Sequence, residues 1–280
     1  MKTNSIKWVA PALILVLAGC GAVGGNIITG EGIVNPNPLV TNQWGELPAG
    51  RNWGHTAGID IDPTDGHIWA YERCAAGGGN RAGEGPVNCQ NNPVDPIFKF
   101  DRHTGEVLAN FGGGLFVTPH GIHADAEGNV WVTDFATNAD GTKGQQVHKF
   151  SPEGELLMSL GVAGQAGNDS RHFNQPNDVI VADDGSIFVS DGHTGQGMTS
   201  NEAIQEGRQA GRTGRIMKFA ADGTFIKQWG RIGTDHGEFR TPHAMEIDSQ
   251  DRLWVTDRGN HRLEIFDLEG NYLESRYSYG

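Results

Sequence analysis

The chain has 280 residues, a formal net charge of −13 and 42 glycines. That length suits one large domain or two small ones, and the acidic balance argues against nucleic acid and anionic membrane surfaces as partners. Recurrent Asp-Gly and Glu-Gly pairs signal many tight turns, hence short strands rather than long helices.

Lys2 and Lys7 precede an apolar run, Trp8 to Leu17, which is short for a membrane span and leads into Leu17-Ala18-Gly19-Cys20. A charged start, a short apolar stretch and small residues at a cleavage point predict an export signal over residues 1–19. Leu-Ala-Gly-Cys resembles the bacterial lipobox, whose cysteine is acylated and becomes the new N-terminus; an ordinary signal with an incidental cysteine is the alternative. Cys20 is therefore the expected lipidation site and membrane anchor. Gly21, where an aspartate would retain the protein at the inner membrane, points to the outer membrane and the periplasm. Residues 20–50, rich in Gly, Asn and Pro, read as a flexible tether. With Cys20 acylated, Cys74 and Cys89 remain, and an even count in an oxidising compartment predicts a disulfide. Their spacing is too long for the usual pair of zinc thiolates.

From residue 51 onward the chain repeats itself. "TPHGIHADAEGNVWVTD" (118–134) returns as "TPHAMEIDSQDRLWVTD" (241–257), and "QPNDVIVADDGSIFVSD" (175–191) keeps the frame with Asn177 in place of histidine. A looser copy, "TAGIDIDPTDGHIWAYER" (56–73), has Ala57 there. Each copy opens a set of four short apolar segments separated by Gly, Asp and Asn turns, which predicts a four-stranded antiparallel meander. Such a unit repeated radially is a β-propeller blade, so residues 51–280 are expected to form an all-β domain of four blades. Only "SNEAIQEGRQA" (200–210), inserted between the second and third strands of the third copy, reads as a helix. Asp134, Asp191 and Asp257, each closing a second strand, read as structural acceptors of turn amides.

"WVTDRGNHRLEIFDLEGNYL" (254–273) resembles an NHL repeat. Together with "TPHG" (118–121), "HFNQPNDV" (172–179), "FVSDG" (188–192), "GRIMKF" (214–219) and "FIKQWG" (225–230), it makes residues 51–280 similar to the six-bladed peptidyl-α-hydroxyglycine α-amidating lyases. Four repeats against six imply a C-terminally truncated ring that stays open, with unpaired strand edges on its first and last blades; four blades that close alone are the alternative.

His120 and His243 fall two blades apart at the start of the innermost strand, where blades converge on the central channel. Alternate blades of a six-bladed ring are related by a threefold axis. Three such histidines would face one another across the channel mouth and suit a metal with an open fourth position; a Pro-His that merely shapes a turn is the alternative. The resemblance implies that His120 and His243 match two of the family's zinc ligands, the third lying in a blade beyond this sequence. His55 and His123 are nearby substitutes that no spacing selects. Arg73 and Arg258 follow the second strands of the first and fourth repeats, and a guanidinium there can clamp a carboxylate. The resemblance implies that they hold the carboxylate of the hydroxyglycine residue; surface pairing with Glu72 or Asp257 is the structural alternative. The resemblance implies that His193 stands where the family carries its catalytic tyrosine, and an imidazole with an ordinary pKa near ~6.5 can serve as base; a plain loop residue is the alternative. The resemblance also implies a structural calcium on the main-chain carbonyls of Ile59 and Ile122.

Two functions follow. One is a lipid-tethered lyase that, with its ring complete, takes a peptide-like substrate with a terminal carboxylate and splits a C–N bond, giving a peptide amide and glyoxylate; the four-blade form alone is expected to be inactive or nearly so. The other is a non-catalytic NHL propeller that binds protein or glycan at the cell envelope. Fold alone does not choose between them.

Overall fold

Four meanders follow one another along the chain in the computed structural model, which describes residues 44–51, 53–56, 58–74 and 89–277. Cys20, the export signal and most of the tether lie outside the described residues. Blade 1 contains β1 (Ile59–Ile61), β2 (Ile68–Tyr71), β3 (Ile97–Phe100) and β4 (Val107–Phe111). Blade 2 contains β5 (Pro119–Ala124), β6 (Val130–Asp134), β7 (Gln146–Phe150) and β8 (Leu156–Leu160). Blade 3 contains β9 (Pro176–Val181), β10 (Ile187–Asp191), β11 (Arg215–Phe219) and β12 (Phe225–Trp229). Blade 4 contains β13 (Pro242–Ile247), β14 (Arg252–Asp257), β15 (Arg262–Asp267) and β16 (Tyr272–Tyr277). Each is a four-stranded sheet with its strands side by side in chain order. The described residues all fall in one unit, Asn42–Gly280, and none of their helices is long and apolar enough to cross a membrane. The expected helix is α1 (Asn201–Gln209), capped by Ser200, whose hydroxyl accepts the Ala203 amide.

Period-two alternation gives every blade two apolar faces, which is why the blades stack. Trp69 and Val132 share one buried cluster across blades 1 and 2. Trp131 packs with Val179, Ile187 and Met217 between blades 2 and 3, and Phe188 packs with Leu253 and Phe266 between blades 3 and 4. The innermost strands accordingly touch in the order β1, β5, β9, β13.

The two ends of this arc present sheet faces as well as the unpaired strand edges the sequence suggested, because blades pack face to face rather than through edge hydrogen bonds. On blade 1, Trp44, Leu47 and Trp53 cover Ala70, Phe98 and Phe100, while Ile59 and Ile61 stay 69% and 63% exposed. On blade 4, Trp254 is half-buried, although its counterparts Trp69 and Trp131 are fully buried.

Candidate metal and anion site

The repeated Thr-Pro-His to Thr-Asp stretch builds the same device at the channel end of blades 2 and 4. β5 and β13 both break register after their first residue, between Pro119 and Ile122 and between Pro242 and Met245. Such a bulge re-aims the side chains inside it, and His120 and His243 are those side chains. It also frees an amide, which the hydroxyl of the Thr-Asp pair takes up: Gly121 N–H donates to Thr133 Oγ1 at 2.7 Å and Ala244 N–H to Thr256 Oγ1 at 2.8 Å. The aspartate beside each threonine then secures the chain entering the strand. Asp134 accepts from the amides of Val117 (2.8 Å) and Thr118 (2.6 Å). Asp257 accepts from those of Arg240 and Thr241, and Asp191 from that of Asn174. The aspartates are therefore structural, as expected, and Thr133 and Thr256 are partners that the sequence reading did not single out. Gly121 is required for a further reason: a Cβ there would lie 2.6 Å from the Asn177 carbonyl oxygen on β9.

Three imidazoles meet at this mouth. Ring centroids are 4.8 Å apart for His120 and His243, 5.1 Å for His120 and His193, and 5.7 Å for His193 and His243. One ring nitrogen from each lies within 4.8 Å of the other two. The third ring is thus His193, the residue expected as a base. His123 turns instead to Asp60, with 3.1 Å between Nδ1 and Oδ2, and the His55 carbonyl accepts the Arg73 amide. His193 opens a single 3₁₀ turn, His193–Gly197, directly after β10. Gly192 at φ 127° makes that reversal, and a Cβ there would meet the Thr213 carbonyl oxygen at 2.0 Å. Phe135 buttresses the group, stacked on His193 at 5.1 Å and edge-on to His120 at 5.3 Å.

The tautomers follow from the partners. His120 Nδ1 sits 2.9 Å from the Asn177 carbonyl oxygen, which can only accept, so Nδ1 carries the proton and Nε2 a lone pair. Arg258 Nη1 lies 2.7 Å from His243 Nε2 and its Nη2 lies 3.1 Å from His193 Nε2. An arginine can only donate, so these Nε2 atoms also bear lone pairs. Burial pushes the His120 pKa down to about 2, and burial together with the nearby Arg258 brings His193 and His243 down to about 4. Three neutral imidazoles with convergent lone pairs are a donor set for a transition metal, and the residues present fit one.

Arg73 and Arg258 border the same site. Arg73 Nε donates to the Pro119 carbonyl at 2.9 Å and its guanidinium lies 5.5 Å from the Phe135 centroid. Glu72 pairs with Arg51, and Asp257 with Arg262. Among the described residues no carboxylate pairs with Arg73 or Arg258. Cys74, next to Arg73, is disulfide-bonded to Cys89. Below the histidines the channel holds a cavity of about 330 Å³ whose lining includes Ile59 and Ile122 together with Asp60, Asp178 and Glu246. The site is therefore cationic at its mouth within a chain of net charge −13.

The NHL repeat family matches residues 239–266. The chain is 32% identical over 252 residues to peptidyl-glycine alpha-amidating monooxygenase B of Xenopus laevis, covering 81% of this chain and 25% of that protein. It is 30% identical over 223 residues to a probable peptidyl-alpha-hydroxyglycine alpha-amidating lyase of Caenorhabditis elegans, covering 76% and 55% respectively. It thus spans about half of the nematode relative and a quarter of the frog one. Among solved structures it resembles virginiamycin B lyase of Staphylococcus aureus, with a TM-score of 0.50, 14% identity, and coverage of 83% of this chain and 58% of that one. At that identity the likeness speaks to the fold alone.

Proposed function

We propose that this chain, an NHL-repeat β-propeller homologous to the peptidyl-α-hydroxyglycine α-amidating lyases, carries the centre of a lyase of that kind. The observation that supports this most strongly is the meeting of three neutral imidazoles with two guanidiniums that form no ion pair with a carboxylate among the described residues. The reaction breaks the bond between the amide nitrogen and the hydroxyl-bearing carbon. The hydroxyl proton leaves, a carbonyl forms, and the nitrogen takes up a proton, so that a peptide amide and glyoxylate result without net oxidation or reduction.

His120, His193 and His243 hold the metal in this reading, and zinc is the ion their all-imidazole set suits. When bound, it supplies Lewis acidity to the substrate's hydroxyl oxygen. Arg73 receives the terminal carboxylate: its Nε is committed to the Pro119 carbonyl, which aims the remaining donors, and the adjacent disulfide limits the movement of its loop. Fixing the carboxylate makes binding energy serve orientation of the reacting carbon. A ring nitrogen that holds a metal cannot take a proton at the same atom, so the ligand and base roles of His193 are separable. The anchor belongs to the same proposal: Leu17-Ala18-Gly19-Cys20 supports lipidation at Cys20 and a place in a bacterial envelope facing the periplasm.

Metal analysis and glyoxylate release from a peptidyl-α-hydroxyglycine test the reading. The expected outcome is about one zinc per chain, lost on replacing His120 or His243 with alanine. A His193→Ala variant that also loses metal makes His193 a ligand; one that keeps metal and loses turnover makes it the base. A metal-free, inactive wild type that still binds an envelope protein or glycan would establish the non-catalytic propeller instead.

A further inference from the structure

Arg258 occupies the place a metal would need. Its two terminal nitrogens approach His243 Nε2 and His193 Nε2 at 2.7 and 3.1 Å, and since a guanidinium only donates, each ring nitrogen accepts with the lone pair it would otherwise offer a metal. A zinc about 2.0–2.1 Å from the same ring nitrogens would need the space these guanidinium atoms fill. The two occupants exclude each other. The Gln196 side-chain oxygen, on the turn that carries His193, accepts from Arg258 Nη2 and so helps hold the guanidinium over the rings. That amide oxygen is a neutral substitute for the oxygen of a carboxylate, and Arg258 itself is solvent-exposed.

We infer that Arg258 is a movable latch which couples metal binding to carboxylate binding. Latched, it fills two of the three metal-facing lone pairs and weakens metal affinity. Unlatched, it is a free guanidinium beside a site that already contains Arg73, and a bound carboxylate stabilises it there. A peptide-like carboxylate therefore tightens metal binding, and metal tightens carboxylate binding by the same factor, as linkage requires. The inference rests on the reading of His120, His193 and His243 as metal ligands and adds a regulatory step at that site.

The test is a titration of the metal-free protein with Co²⁺ or Zn²⁺, followed by calorimetry or cobalt absorption, with and without saturating hippurate, a peptide-like carboxylate that lacks the reactive hydroxyl. Wild type is expected to bind metal about tenfold more tightly with hippurate present. Arg258→Met, which removes charge and donors but keeps side-chain bulk, is expected to bind metal about tenfold more tightly without hippurate and to lose most of the hippurate effect. Gln196→Ala, which disturbs no metal ligand, is expected to shift affinity in the same direction by a smaller factor, and it stands as the test if Arg258→Met does not fold. Unchanged or weaker metal binding in the folded variants, or an equal hippurate effect in wild type and Arg258→Met, overturns the latch. Failure of the ligand reading has a separate signature: His120→Ala and His243→Ala would bind metal as wild type does.

Discussion

Replacing Asp134 with alanine removes the acceptor of two buried amides, those of Val117 and Thr118, from a residue with no solvent exposure. Each orphaned donor costs about 1–3 kcal/mol, or about 2–6 kcal/mol for the two if nothing else changes. Burial opposes ionisation here, pushing the Asp134 pKa up to about 7, so deleting the carboxyl also relieves a desolvation cost. The net loss is expected at about 2–4 kcal/mol. Asp134→Asn should lie between, since one amide keeps an oxygen and the other meets an NH₂ group. The cost is local to the segment that delivers His120, so metal affinity should fall about 10–100-fold, the range for residues that orient ligands. Urea midpoints at constant slope measure the first quantity, and cobalt titration measures the second. Asp140→Ala, at an exposed position, serves as control and should stay within about 0.5 kcal/mol of wild type. An Asp134→Ala protein as stable as that control, with unchanged metal affinity, would refute the argument that the aspartate builds the site.

His148 is buried with Nδ1 2.8 Å from Ser159 Oγ, and burial brings its pKa from 6.5 down to about 4. The unfolded chain therefore binds the extra proton, and the associated stability is present above pH 6.5 and lost as pH falls toward 4. In metal-free protein His148→Phe should flatten that acid slope by about one proton, read from urea midpoints between pH 7 and 4. Trp131→Ala should cost about 3–5 kcal/mol as a core truncation, while Trp254→Ala, on the open face of blade 4, should cost about 1–2 kcal/mol; equal losses would mean that blade 4 is covered in solution. Joint replacement of Cys74 and Cys89 by serine opens a loop of sequence separation 15 and should cost about 3 kcal/mol in thermal or chemical unfolding. It should also raise KM for a carboxylate-bearing substrate more than it lowers kcat, because Arg73 adjoins the released cysteine.

Much of the architecture was legible in the residues because a propeller blade is a local object. Period-two alternation, turn glycines and a recurring frame, Pro-x to Thr-Asp in blades 2 and 4 and looser in blades 1 and 3, specify each meander without reference to distant contacts, so the sixteen strands among the described residues fall on the apolar segments of the repeats. The convergence of His120 and His243 was legible for the same reason, since equivalent positions of a radial repeat share one geometry. His193 was not placed with them, because it lies outside the repeated frame on a 3₁₀ turn whose direction depends on Gly192 meeting Thr213 across the blade. No pattern in the chain shows that Arg258 reaches His243 and His193, or that Glu72 and Asp257 pair with Arg51 and Arg262. Local periodicity determines strands and their faces, but the partners of a charged side chain depend on which loops the packed blades bring within hydrogen-bonding reach, and that is settled only in three dimensions.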